Sequence, residues 1–133
     1  MIRLYKFRGK NLENGEWVYG SLIMKSYDDV LIVNSDGDFQ VDPDTVGMML
    51  FKWRRREFYD GDIVKYQSRD ESGPYVYVSA WRYASTDVTH TDGYIQHDGK
   101  ERFYVDGPAT FNLQNCEVIG NVYDNKELYE EIS

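Results

Sequence analysis

The sequence predicts an all-β protein: an N-terminal antiparallel β-meander, a second group of strands, and a short C-terminal helix. Three observations carry that prediction. Aromatic residues make up 16% of the 133-residue chain, as 12 Tyr, 6 Phe and 3 Trp, and such side chains fit the half-buried face of a pleated sheet better than a helix. Eleven Gly stand against three Pro, the balance of a chain with many tight turns. Period-two alternation recurs along the chain, whereas helical spacing is almost absent.

Residues 3–7 alternate charged and apolar side chains and read as a first strand. Asn14-Gly15 supplies a hairpin turn, because both residues adopt positive φ cheaply. Residues 16–24 follow as a strand, with Trp17, Tyr19 and Ile23 on one face and Val18, Leu22 and Met24 on the other. Residues 30–33 form a short apolar strand closed by a turn at Asp36-Gly37. Residues 39–41 end at Asp42-Pro43, where proline removes a ladder donor, and residues 47–53 resume an apolar run. The first half is thus a meander of about five short strands.

The second group begins at Tyr59-Asp60-Gly61-Asp62, a turn feeding a strand. Residues 67–74 are polar and read as a loop. Residues 75–83 give the cleanest alternation, with Tyr75, Tyr77, Trp81 and Tyr83 on one face and Val76, Val78 and Ala80 on the other. Residues 84–92 are polar and Thr-rich, a long loop or an irregular edge. Residues 93–96 and 102–105 flank a hairpin at His97-Asp98-Gly99-Lys100. Residues 117–123 are the last strand, with Val118 and Val122 facing one way and Ile119 and Tyr123 the other. Asp124, with Glu127 three positions on, caps the helix, which places Leu128 and Ile132 on one side. The seam between residues 1–58 and residues 59–133 falls near residues 54–60, whether the halves fold as two units or one.

Charge and cysteine content narrow the function. Fifteen Lys and Arg against 23 Asp and Glu give a net charge of −8, which argues against a general nucleic-acid-coating role. A single Cys supplies neither an internal disulfide nor a zinc site, so a disulfide-stapled secreted domain is not expected. Residues 1–8 are charged and lack an apolar run, so neither a signal peptide nor a membrane span is expected, and the expected address is the reducing cytoplasm.

Five segments resemble the YopX-type proteins of bacteriophages and prophages. They are Lys6-Phe7-Arg8-Gly9-Lys10, Asn14-Gly15-Glu16-Trp17-Val18-Tyr19-Gly20-Ser21-Leu22, Val41-Asp42-Pro43-Asp44-Thr45-Val46-Gly47, Tyr59-Asp60-Gly61-Asp62-Ile63-Val64, and Glu117-Val118-Ile119-Gly120-Asn121-Val122-Tyr123-Asp124-Asn125. They occur in the family's order over residues 6–128. The resemblance implies that the C-terminal half is an SH3-like barrel, and that the gene is carried on phage or prophage DNA in a bacterial host. It implies no reaction, no catalytic residue and no accepted partner. One stretch departs from the family: Phe51-Lys52-Trp53-Arg54-Arg55-Arg56-Glu57 replaces a Gly/Asn-rich turn, as an altered hairpin or an extended basic strand.

Two groups of residues are candidate binding sites. Lys52, Arg54, Arg55 and Arg56 surround Trp53 and would serve as a phosphate-contacting patch with a stacking aromatic. In extended geometry Lys52, Arg54 and Arg56 share a face, with Trp53 and Arg55 opposite. The bland alternative is a solvated strand end. Tyr75, Tyr77, Trp81 and Tyr83 would form a platform for a peptide or unstacked bases, although packing on the meander or in the barrel is the preferred reading. His90, Asp92, His97 and Asp98 have loose spacing, and turn formation explains them better than a metal does. Cys116 beside Glu117 is disfavoured as a nucleophile, and Asp60 and Asp62 read as turn formers.

The sequence therefore points to a non-enzymatic binding module without cofactor or metal, whose partner is a second copy or a phage or host protein. The alternative is a nucleic-acid accessory protein using the basic segment 52–56.

Overall fold

A computed structural model describes residues 6–71, 73–83, 90–97, 101–107 and 112–132. The protein is all-β as expected, built from two antiparallel sheets and one short C-terminal helix. The first sheet holds β1 (Phe7–Lys10), β2 (Trp17–Ser26), β3 (Asp29–Asn34), β4 (Gly37–Val41), β5 (Gly47–Trp53) and β6 (Arg56–Tyr59), in the order β4-β3-β2-β1-β5-β6. The second holds β7 (Asp62–Asp70), β8 (Gly73–Arg82), β9 (His90–His97), β10 (Glu101–Gly107) and β11 (Cys116–Asn121), in the order β10-β9-β8-β7-β11. Helix α1 spans Lys126–Ile132.

The expected meander is corrected in its connectivity. After β4 the chain does not continue outward but crosses to pair β5 with β1, through Phe7↔Met48 and Arg8↔Gly47. The crossing follows from Asp42-Pro43, which cannot prolong the strand and instead starts a 3-10 turn, Pro43–Thr45. Asp42 caps that turn by accepting the Asp44 N–H at 3.0 Å, and Thr45 Oγ1 accepts the Lys10 N–H at 2.9 Å. Gly9 makes the crossing possible, because a Cβ there would lie 2.9 Å from Val41 Cγ2. The free side of β4 also returns to the end of β1: Asn11 bridges Val41, Leu12 N–H donates to Gln40 O at 3.0 Å and Asp42 N–H to Lys10 O at 2.8 Å. Val18, Val30, Ile32 and Val41 fill the inside of this curl.

In the second sheet, no closure into a barrel is found among the described residues; β10 and β11 are its two edges. Residues 67–70, 73 and 74 are not a loop. They are the outer half of a long β7–β8 hairpin whose register runs from Ile63↔Ala80 to Asp70↔Gly73. Their polarity reflects a hairpin end that projects beyond the core, where Gln67, Arg69, Asp70 and Pro74 are exposed. The expected 84–92 loop lies outside the described residues over 84–89, and its last three residues belong to β9. The β9–β10 hairpin is present, with His97 opposite Glu101; its turn residues 98–100 are outside the described set. Residues 3–5 of the first expected strand are also outside it, and β1 sits a few residues later than expected, at Phe7–Lys10.

The alternation expected for residues 117–123 fails at a β-bulge between Val118 and Gly120. The extra residue leaves Val118 and Ile119 both exposed, while Val122 is buried. At the helix, Asp124 is not the cap. Asn125 takes that place, its carbonyl accepting from Tyr129 N–H at 3.0 Å, because the Asp124 side chain is engaged across the molecule with Lys10 and Trp17. Ile132 and Leu128 do face the same way, packing on Ile63, Val78, Ala80, Tyr94 and Val122.

The altered stretch 51–57 is a hairpin. Residues 54 and 55 turn the chain, so Trp53 pairs with Arg56 and Lys52 with Glu57. The shared face expected for Lys52, Arg54 and Arg56 is therefore overturned by the chain reversal. Arg54 holds φ 55°, a left-handed conformation that costs a residue with a Cβ about 1–2 kcal/mol. Its guanidinium lies 5.2 Å from the Trp53 ring centre, a partial compensation. Arg54→Gly is expected to raise stability by about 0.5–1 kcal/mol, read as a higher urea midpoint; an unchanged or lower midpoint would refute it.

Candidate functional site

The two candidate groups meet, but through the core and not at the surface. Trp81 is fully buried and Tyr77 nearly so, whereas Tyr83 is 54% exposed and Tyr75 half-buried. Trp81 packs with Phe58, Val64 and Cys116, and Trp53, Leu50 and Phe51 close over that cluster. The other face of β8 carries Val78 and Ala80 into the core beneath α1. Strand β8 is thus buried on both faces along its middle, its aromatic side against the β5–β6 hairpin and its aliphatic side against the helix. Tyr77 OH lies 3.3 Å from the buried Thr91 hydroxyl, and Tyr75 sits beside His97 with ring centres 5.7 Å apart.

In the basic group, Arg56 Nη1 donates to Cys116 O at 2.7 Å and so ties β6 to the edge of β11. Lys52 faces Glu57 across the hairpin, and Lys6 donates to the same carboxylate at 3.0 Å. Arg54 and Arg55 remain exposed at the turn.

Among the described residues, the densest arrangement of charged and aromatic groups lies where the two sheets join. Arg8 on β1 points between them and pairs with Asp62 of β7, Nη1 to Oδ1, at 2.8 Å. Both side chains are buried. The guanidinium lies 4.5 Å from the Trp17 ring centre and 5.1 Å from that of Tyr59, so it is held between two π faces as well as by a carboxylate. Asp62 Oδ2 accepts the Tyr59 N–H at 2.7 Å, the turn-forming bond expected of it. Asp60 accepts from Arg82 Nε at 3.1 Å and from the Tyr83 N–H at 3.3 Å. The turn between β6 and β7 then stitches three elements: Asp60 N–H to Met48 O, Gly61 N–H to Trp81 O, and Val122 N–H to Gly61 O. Gly61 suits this turn on two grounds, φ +96° and a Cβ position 3.0 Å from Tyr123 Cε2.

Asp124 completes the junction from the C-terminal side. It accepts from Lys10, from Trp17 Nε1 at 2.8 Å and from Asn121 Nδ2 at 3.0 Å. Burial alone pushes its carboxyl up, but hydrogen bonds from Lys10, Asn121 and Trp17 outweigh burial and bring it from 3.8 down to about 2. A depressed carboxylate stabilises the fold above its unfolded value, and that contribution disappears as pH falls through its folded value. Stability is therefore expected to drop between about pH 4 and pH 2. Asp124→Asn should flatten that drop in urea titrations, and an equally steep fall in the variant would remove this assignment.

Burial has the opposite result at Asp62, whose carboxyl is pushed up against the pull of Arg8 and the Tyr59 N–H. Burial also raises the Cys116 thiol to about 11 against a weaker lowering by Arg56. The expectation that Cys116 is not an activated nucleophile thus has burial as its physical cause, and Glu117 is not among its causes.

Two clefts adjoin these elements. One, of about 710 Å³, runs between the edge strands β6 and β11 and is lined in part by Cys116. The other, of about 770 Å³, lies on the helix side of the second sheet near Tyr75, Val76 and Tyr94. Sequence reasoning did not single out Arg8, Trp17, Tyr59 or Asp124 as a unit, nor Phe103 and Tyr104, which stand 53% and 64% exposed on β10. Only the clustering of the first group in the segments that carry the family resemblance could have signalled it.

Residues 6–130 match the family model described as YopX protein. No curated protein and no solved structure matches the chain. All the segments that carried the resemblance converge on the junction: Arg8 and Lys10, Trp17, Thr45 against Lys10, the Tyr59–Asp62 turn, and Asn121 with Asp124.

Proposed function

The chain belongs to the YopX protein family, and we propose that it is a non-enzymatic protein-interaction module that associates with itself. The observation that carries this reading is the exposure of Phe103 and Tyr104 on an edge strand of an open sheet. Large apolar side chains on such an edge favour pairing with another chain. The groups best suited to chemistry are engaged in structure: Arg8, Asp62 and Asp124 bond one another's elements at the junction, and burial pushes the Cys116 thiol up to about 11. Light scattering at micromolar concentration is expected to give a whole multiple of 15.7 kDa. A strictly monomeric protein would overturn self-association, and one that also captures no phage or host protein would overturn the interaction-module reading as a whole.

The barrel expected in the C-terminal half is not closed among the described residues, and we also propose an SH3-like arrangement of the strands in the N-terminal half. Its support is the run of four strands, a 3-10 turn, and a fifth strand returning to pair with the first. The contacts between Asn11–Leu12 and Gln40–Val41 add to it. The single Cys, fully buried and unpaired, suits the reducing cytoplasm of a bacterial host. No helix among the described residues is long and apolar enough to cross a membrane.

A nucleic-acid accessory role is the second reading, favoured by Arg54 and Arg55 exposed beside Trp53 at one hairpin tip. Its test is an anisotropy titration against single-stranded and duplex DNA at low and physiological salt. Binding should weaken steeply with salt and with Ala at Lys52, Arg54, Arg55 and Arg56; no binding at low salt would remove it.

A further inference from the structure

The two sheets have four outer strands among the described residues, and three of them are blunted. Strand β4 turns back onto the end of β1 through Asn11 and Leu12. Strand β6 is four residues long. Strand β11 is broken by a bulge, and its Cys116 carbonyl is already occupied by the Arg56 guanidinium. Short length, bulges and covering groups are the ordinary ways in which proteins prevent edge pairing.

Strand β10 has neither a bulge nor a covering group among the described residues, and the charges it carries, at residues 101, 102 and 106, are of both signs. It pairs with β9 over seven consecutive residues without a register shift, from Glu101↔His97 to Gly107↔Thr91. It contains no Pro, and Phe103 and Tyr104 are both more than half exposed.

The sequence of this edge, Glu101-Arg102-Phe103-Tyr104-Val105-Asp106-Gly107, complements itself when reversed. In an antiparallel pair centred on Tyr104, Tyr104 meets Tyr104, Phe103 meets Val105, Arg102 meets Asp106 and Glu101 meets Gly107. Apolar residues thus face apolar ones, and opposite charges face each other twice, once on either side of the axis. Directly opposed residues of an antiparallel pair share a face of the sheet, and opposed unlike charges and aromatic pairs stabilise it. Centring on Phe103 instead sets Arg102 against Tyr104 and Glu101 against Val105. A centre between Phe103 and Tyr104 sets Glu101 against Asp106, two acids. A centre on Val105 sets Tyr104 against Asp106. Only the Tyr104 register satisfies both charge and apolarity, and a register is fixed where a slip would lose both.

We propose that two copies of this chain join through β10, paired antiparallel about Tyr104, so that the two five-stranded sheets become one continuous ten-stranded sheet. The partner is a second copy because the complementarity is internal to the strand. The pairing is isologous, with one two-fold axis and the same seven residues from each copy. Arg102 is pre-positioned for it: the guanidinium lies 4.5 Å from the Tyr94 ring centre and bonds Glu131 of α1, which fixes one side of the fork while a guanidinium retains further donors. This proposal deepens the self-association reading and rests on it.

The test uses the full chain and two variants. Tyr104→Lys sets two cations against each other on the axis and is expected to halve the mass seen by light scattering, with the far-UV circular dichroism of the folded chain kept. Tyr104→Cys sets two thiols opposite each other at the Cα spacing of an antiparallel pair, which a disulfide can bridge. Under diamide it is expected to give a covalent dimer on non-reducing gels, whereas Leu12→Cys, on the opposite half and 55% exposed, gives none. If the wild type is oligomeric, but Tyr104→Lys leaves its mass unchanged and Tyr104→Cys does not cross-link, the β10 pairing is overturned while self-association stands. A wild type that is monomeric throughout overturns both.

Discussion

Arg8→Ala is expected to lower folding stability by about 3–5 kcal/mol. The cost does not measure the strength of the ion pair. It arises because alanine leaves the Asp62 carboxylate buried at the junction without its cation, 2.8 Å from where the guanidinium stood. Two further losses add to it, the contacts of the guanidinium with the Trp17 and Tyr59 rings at 4.5 and 5.1 Å. The measurement is urea unfolding, with the midpoint falling and the slope unchanged. Replacing both partners by apolar residues, Arg8→Met with Asp62→Leu, should restore much of the loss, since a filled apolar site carries no orphaned charge. A drop below about 1 kcal/mol for Arg8→Ala would mean that Asp62 finds water or another partner, and the junction would lose its central role.

Trp81→Ala is expected to cost about 3–5 kcal/mol for a different reason, the cavity left by a fully buried large side chain. Trp81 is buried completely, with Phe58 and Phe51 at ring-centre distances of 5.2 and 5.8 Å and its Nε1 donating to Ser79 Oγ at 3.1 Å. Phe51 and Phe58 lie on β5 and β6, so the cavity would open between the sheets and both should loosen together. Tyr83→Ala, two residues away but more than half exposed, should stay within about 0.5 kcal/mol of wild type. Equal effects from the two substitutions would contradict the burial difference along β8. The contrast also separates packing from ligand contact. A platform residue would lose binding and keep stability, whereas Trp81 should lose stability first.

The all-β character was readable because alternation and turn residues are local. The Asn14-Gly15 hairpin, the strand at residues 47–53, the β9–β10 hairpin and the Leu128–Ile132 face of the helix each follow from neighbours a few positions apart. What local pattern could not give is which strand pairs with which when the connection is long. The crossing of β5 to β1 depends on Gly9 admitting Val41 and on Thr45 taking the Lys10 N–H, partners more than thirty positions distant. The polar outer half of the β7–β8 hairpin read as a loop because its side chains meet water on both faces, and composition alone does not separate an exposed strand from a loop.

The same division holds for the candidate site. The family, the strand-rich class, the basic cluster at 52–56 and the aromatic run at 75–83 are all legible as contiguous signals. Where these groups lie in the fold depends on long-range contacts. Chain reversal at Arg54-Arg55 split the basic cluster, one cation going to the Cys116 carbonyl, and burial of β8 on both faces took Trp81 into the core. Asp124 became a tie to Lys10 and Trp17 instead of a helix cap. The physical reason is range. Backbone preference and alternation act over a few residues, whereas desolvation and ion pairing depend on what the fold brings from 50 or 100 positions away, as Arg8 and Asp62, or Lys10 and Asp124, are brought here.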